Sequence, residues 1–316
     1  MSNEKKQSRI KPFIIANPIY DTVFKRLMEN LRIVKFFLST ILGQPVTAVD
    51  VLPQEFSHKG NDETDSEDNS VPYSMYRVDF MATIQTNEGE YRKVLIEVQK
   101  SLGAADVTRF RKYLGEQYSK KDIVIVDKSP KKNSGNNSDK KTEGQTLPIT
   151  TIYILGNKLA EIKCSCLKVG RTYTDMLTNE TVNEKSDFVE KLTHDSYIIQ
   201  AGRITDNRYV TSLEKLLSIF EQSYFVSDGS EALKEYRYQP LPDDEEIKLI
   251  TETLHEMGVD PEERKLIENE AEYIRTIDDT YGYKIKELTE ALEEKDKENA
   301  ELKEKLAELE RLLRNK

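Results

Sequence analysis

A chain of 316 residues is long enough for about two domains at roughly 150 residues each. With 37% hydrophobic and 33% charged residues, part of it must be loop or helix that buries only a narrow stripe. The formal net charge of −10 opposes a surface that coats nucleic acid throughout, and two cysteines, Cys164 and Cys166, exclude a disulfide framework or a four-cysteine zinc site. No apolar run approaches the ~18 residues of a spanning helix, so no membrane partner is expected. The opening MSNEKKQSRIKP lacks the apolar core of a signal peptide, and the expected location is the cytoplasm. His58, His194 and His255 are widely scattered, which leaves any metal chemistry to carboxylates.

In chain order, Asn17-Pro18 reads as an N-cap followed by proline at the first helical position. Tyr20, Val23, Phe24, Leu27, Leu31, Val34, Leu38 and Leu42 then recur at helical spacing, predicting one helix that Gly43-Gln-Pro45 ends. Val46 to Leu52 is a short strand, and the polar, acidic stretch 55–70 an exposed loop. Tyr76 to Gln85 and Tyr91 to Val98 alternate as strands around Asn87-Glu-Gly89, where glycine permits the positive φ of a hairpin turn. A basic helix is predicted over Asp106 to Lys120, then a buried strand at Asp122 to Val126. A low-complexity insertion covers 127–147, and a strand resumes at Ile149 to Leu155.

The last ~75 residues are charged and helical. With Ile285 at a, the a positions are Ile285, Leu292, Asn299, Leu306 and Leu313, and the d positions Leu288, Lys295, Leu302 and Leu309. Opposite charges at g and e (Glu298 with Lys303, Lys305 with Glu310) suit a parallel pair, and one buried asparagine would set its register. A homodimer through this parallel coiled coil is expected, against the alternative of a lone solvated helix.

The hairpin carries the chemistry. A turn at 87–89 pairs Gln85 with Tyr91 and brings Asp79 opposite Glu97, with Gln99 two residues on and on the same face. Directly opposed side chains lie about 4.5–5.5 Å apart at Cβ, where like charges repel. A divalent cation between the acids would resolve that repulsion. The alternative is a surface hairpin whose acids are neutralised by Arg77 and Lys93, and a one-residue slip would reverse the facing. Either way the pair is expected on a two-stranded edge followed by a basic helix.

Asp-Thr-Val-Phe-Lys (21–25), Arg-Val-Asp-Phe (77–80) and Ile-Glu-Val-Gln (96–99), in this order and spacing, resemble the PD-(D/E)XK nuclease family transposases, also called recombination-promoting nucleases. Arg109 and Tyr113, four apart on one helix, match a recurrent pairing there. The resemblance covers roughly residues 15–125, and less distinctly continues to about 240. It implies an α/β fold with a restriction-endonuclease-like mixed sheet flanked by helices, and Mg²⁺- (or Mn²⁺-) dependent cleavage of DNA. It also implies metal binding by Asp79 and Glu97. Gln99 stands where the superfamily signature has lysine, and an amide can orient water but cannot exchange a proton near neutrality. Lys25 is the alternative cation, with Asp21 as a third acid; both also fit a plain i,i+4 pair. The domain reading is a tail at 1–14, a nuclease-like domain at 15–240 with polar insertions at 55–70 and 127–147, and a helical region at 241–316 ending in a coiled coil from about 271.

Lys100, Arg109, Arg111, Lys112 and Tyr113 cluster just after the proposed acids and are the candidate DNA contacts. Cys164 and Cys166 are expected to face the core, and His194 to be a cap or core histidine. The leading expectation is therefore a metal-dependent DNA endonuclease. The alternative from a different class is an inactive nuclease-like scaffold that binds DNA or protein.

Overall fold

The hairpin becomes the middle of a sheet. In the computed structural model the described residues are 13–53, 55–59, 73–100, 104–126, 141–204, 209–227, 230–238, 240–241, 243–280 and 282–284, with Lys295 and Lys303. The elements are β1 (Phe13–Ala16), α1 (Asp21–Met28), α2 (Leu31–Leu42), β2 (Val46–Val51), β3 (Glu55–Lys59), β4 (Tyr73–Arg77), β5 (Phe80–Thr86), β6 (Tyr91–Gln99), α3 (Ala104–Ser119), β7 (Asp122–Val126) and β8 (Lys141–Gln145). They continue as β9 (Ile149–Leu155), β10 (Cys166–Val169), β11 (Tyr173–Thr174), β12 (Thr181–Val182), α4 (Asp187–Leu192), β13 (His194–Gln200), a 3₁₀ turn (Ala201–Arg203), α5 (Ser212–Ile219), β14 (Phe225–Ser227), β15 (Ser230–Tyr236) and α6 (Glu245–Val259).

A six-stranded mixed sheet runs β10-β13-β9-β6-β5-β2, with β6, β9 and β13 parallel to one another and β5 antiparallel to β6. The chain is thus α/β, with helices beside a mixed sheet. The turn pairs Gln85 with Tyr91, the expected register, but the expected two-stranded edge is wrong: β6 lies between β5 and β9. Its run Lys93 to Val98 is buried on both faces, as parallel strands covered by helices are.

The predicted first helix is two. Asn30 breaks it, accepting from the backbone N–H of Arg32 at 3.0 Å and Ile33 at 3.4 Å as the N-cap of α2. Asn17 does not start the helix: α1 begins at Asp21 with Tyr20 in the N-cap position, and the fully buried Asn17 carboxamide donates to Gln222 Oε1 and the Glu231 carbonyl while its oxygen takes the Ile19 N–H at 3.4 Å. A hydrophobic stripe that continues across the break hid the asparagine's capping preference. The predicted strand 76–85 is likewise interrupted at Val78-Asp79, so β4 pairs with β3 and β5 with β6. Residues 55–59 and 141–145, expected as loop and insertion, form strands β3 and β8 by antiparallel pairing with β4 downstream and β7 upstream, respectively.

The cysteines do not face the core as expected. Cys164 is exposed and Cys166 half-buried, because the segment leads into β10, the outer strand of the sheet. The first compact unit runs to residue 268 rather than ending near 240, since α6 buries Ile247, Ile250, Leu254 and Met257 and His255 Nδ1 meets the Ile14 carbonyl at 2.6 Å. The second unit is helical over 269–280 and 282–284. The coiled-coil seam lies outside the described residues except for Lys295. Among the described residues, no helix is long and apolar enough to cross a membrane.

Candidate metal-dependent active site

The site forms where β5 begins and β6 ends. The β5–β6 ladder reaches Phe80 opposite Ile96, so Asp79 comes next on the register and falls opposite Glu97. Instead of continuing the ladder, the Asp79 side chain caps it: Oδ2 accepts the Val98 backbone N–H at 2.7 Å. Its second oxygen has Lys25 Nζ at 3.9 Å, and Lys25 also donates to Asp21 Oδ2 at 2.5 Å. Helix α1 therefore aims its Asp21 and Lys25 at the strand acid, one turn apart as the sequence spacing requires.

Glu97 is the more confined of the two, at 1% exposure. Its Oε1 accepts from Gln99 Nε2 at 2.6 Å and from an Arg109 guanidinium nitrogen at 2.8 Å. Its Oε2 is buried and has no hydrogen-bond partner among the described residues. A surface hairpin neutralised by Lys93 is thereby ruled out, because Lys93 is itself buried and its ion pair is with Asp122.

Electrostatics agree with confinement. Burial pushes the Asp79 carboxyl well above the ordinary carboxylate range; the charges of Glu97 and Asp21 add to this, while the Val98 N–H and Lys25 oppose it. Burial also raises Glu97, and Arg109 and Gln99 pull it back. Beside Glu97 in the parallel register stands Tyr153 on β9, whose hydroxyl is held protonated by burial and by the neighbouring carboxylate. Two coupled acids in a low-dielectric site are costly to ionise together, and a cation between them reverses that balance.

The fit to a metal can be tested on these residues. A buried carboxylate oxygen without a hydrogen-bond partner, next to a second acid whose own ionisation is suppressed, is a donor set suited to a hard divalent cation. Among the described residues no group of three or more His, Cys, Asp or Glu side chains is arranged to hold one. A hard divalent cation that keeps most of its waters would need few protein ligands, and Asp79 and Glu97 are the carboxylates that could offer them.

The candidate DNA contacts separate. Arg109 lies at the acids, and Arg111 and Lys112 are exposed on α3. Tyr113 is 2% exposed and packs with Val78, Met81, Leu95, Phe110 and Ile149, so its ring is core rather than contact surface. Lys100 is paired with Glu231, 3.3 Å from Gln222 Oε1, and lies near the Tyr20 and Phe225 rings, so its ammonium is already partnered within the fold. His194 bonds the Tyr118 hydroxyl at 2.8 Å, away from the acids, and burial lowers its pKa. Tyr153 and the Lys93 partners Asp122 and Gln117 escaped the sequence reading. Gln117 continues the inward stripe Phe110, Tyr113 on α3, which was the available signal.

No family model matches the chain, and neither a curated protein nor a solved structure matches it.

Proposed function

We propose that this protein is a Mg²⁺- (or Mn²⁺-) dependent DNA endonuclease with a restriction-endonuclease-like core, dimerised through its C-terminal coiled coil. The observation that carries the reading is the opposed, buried pair Asp79 and Glu97 with a Glu97 oxygen left without a hydrogen bond. The bound cation would neutralise a phosphate oxygen and lower the pKa of its water. Asp79 and Glu97 would hold it, and Arg109 fixes the Glu97 carboxylate by taking the other oxygen. Gln99, bonded to Glu97, is positioned to orient the attacking water but not to carry its proton. Lys25, from α1, supplies the cation that the strand position lacks.

Support from charge is local. Arg109, Arg111 and Lys112 lie on one helix beside the acids and can meet phosphates. The test is nicking of supercoiled plasmid by the full chain in Mg²⁺, against Glu97→Gln and Asp79→Asn variants. Loss in both, with retained folding, supports the reading; cutting equal to the parent protein in either variant overturns it.

A second reading, a metal-free scaffold that binds DNA or protein, rests on Gln99 in the lysine position and on the engagement of Lys25 with Asp21. Calorimetric titration with Mn²⁺ separates the two. Heat that vanishes in Glu97→Gln supports the enzyme, and no heat in the parent protein supports the scaffold.

A further inference from the structure

Glu97 has a neighbour on each side along the sheet. Asp79 lies opposite it at the start of β5, and Tyr153 on β9 is its partner in the parallel β6–β9 register. Ile198 on β13 and Leu167 on β10 continue the same row. Neighbouring strands are about 4.8 Å apart and register partners share a face, so Tyr153 stands directly beside the acids. Glu97 is 1% exposed, whereas Tyr153, Ile198 and Leu167 are half-buried, so this face opens toward solvent on the Tyr153 side.

The Tyr153 ring is pinned, and its hydroxyl is not. Phe110 of α3 packs on the ring with centroids 4.4 Å apart and planes tilted by 56°. The hydroxyl has no hydrogen-bond partner among the described residues, yet it is not sealed from solvent. Tyr118, by contrast, engages His194 Nδ1 at 2.8 Å, and Tyr238 engages Asp244 at 2.5 Å. A phenylalanine would pack on Phe110 equally well, so packing does not account for the hydroxyl. Burial and the Glu97 charge hold it protonated, which makes it a donor at neutral pH. Such a neutral donor can meet an anion without compensating Glu97, as a second arginine would, and leaves the acid pair available to a cation.

We infer that the Tyr153 hydroxyl is a substrate contact, which donates a hydrogen bond to a phosphate oxygen of the DNA strand held at Asp79 and Glu97. The identity of the substrate rests on the nuclease reading. The contact lies on the β9 side of Glu97, away from Asp79, so it holds the strand without competing for the acid oxygens. Phosphate contacts fix the register of a bound strand, and this one sets which phosphodiester meets the acids. Made alike in the ground state and the transition state, it raises affinity rather than the rate of the chemical step.

Binding can be measured without cleavage. The full chain carrying Glu97→Gln, in EDTA, lacks both the cation and the charge that repels phosphate, and fluorescence anisotropy with a short labelled duplex reads its affinity. Adding Tyr153→Phe, which keeps the ring on Phe110 and with it the fold, should weaken binding about tenfold, the scale of a hydrogen bond to a charged group. The slope of log affinity against log salt should stay the same, because no cation is lost. Tyr118→Phe, which removes a hydroxyl bonded to His194 instead, should leave affinity unchanged. With Glu97 in place, Tyr153→Phe should raise KM for plasmid nicking in Mg²⁺ by a similar factor at constant kcat, and leave the Mn²⁺ titration unaltered. Unchanged DNA affinity in Tyr153→Phe, an equal loss in Tyr118→Phe, or no DNA binding by the Glu97→Gln chain would overturn the contact. Absence of nicking by the parent protein alongside a persistent Tyr153 effect on binding would overturn the nuclease reading and leave the contact standing, so the two failures are distinguishable.

Discussion

Strand β6 carries two buried charges on one face, and they are handled in opposite ways. At its middle, Lys93 is answered by Asp122 and by the Gln117 carbonyl. At its end, Glu97 has Arg109 and Gln99 on one oxygen and nothing among the described residues on the other, with Asp79 opposite. The first arrangement is closed around its charge, as a structural ion pair must be when desolvation is severe. The second keeps an acceptor in reserve and tolerates repulsion between two acids. Suppressed, closely opposed acids of this kind cluster at functional sites.

The largest expected effect breaks the closed end. Lys93→Ala leaves Asp122 buried without its partner and should cost about 3–5 kcal/mol, read from urea denaturation midpoints. Glu97→Gln should do the reverse: plasmid nicking falls at least about 100-fold, while the melting temperature holds or rises, because a buried charge has been removed. A stability loss for Glu97→Gln as large as that for Lys93→Ala would erase the contrast between the two ends.

The pH dependence sharpens it. The Asp79 carboxyl titrates in the folded chain well above its ordinary value, so between those two values the folded state binds more protons than the unfolded state. Without divalent cation, the contribution of this group is present in full below the ordinary carboxylate range and is lost as pH rises through the native titration. Asp79→Asn should flatten that slope, and saturating Mn²⁺ should abolish it in the parent protein by favouring the charged pair. A metal-free slope unchanged in Asp79→Asn would assign it elsewhere. Smallest is Lys25→Met. Lys25 lowers the Asp79 pKa, so its loss should move the acid limb of the nicking profile to higher pH. Coincident profiles would remove Lys25 from the site.

A further buried cation behaves differently from Lys93. Lys234 on β15 donates to the Ile219 and Glu221 carbonyls at the end of α5, and burial lowers its pKa to about 7. Its native value lies below the unfolded one, so stability should rise with pH between about 7 and 10.5. Lys234→Met should remove that rise, as followed by denaturation at pH 7.5 and 9.5.

Much of the candidate site was legible because strand pairing is local. A glycine-bearing turn fixed the register from Gln85 and Tyr91 to Asp79 and Glu97, and side-chain alternation put Gln99 on the Glu97 face. Helical spacing joined Asp21 to Lys25 and marked α3 to within two residues. Other features depend on partners far along the chain. Asn17-Pro18 has the local pattern of a helix start, yet the Asn17 amide donates to Gln222 and Glu231, more than 200 residues away. Tyr113 and Lys100 resembled surface contacts until α3 packed on the sheet and Glu231 met the lysine.

By itself, then, the sequence determined the hairpin and its register, the position of α3, and the pairing of two acids. These follow from periodicity, turn chemistry and short-range spacing. Only the tertiary structure decided that the hairpin is central rather than an edge, that Lys93 answers Asp122 instead of Glu97, and that one Glu97 oxygen is buried without a hydrogen bond. Burial and charge pairing depend on which distant segments cover a strand, and no local pattern in β6 encodes that β9 and α3 arrive on either side of it.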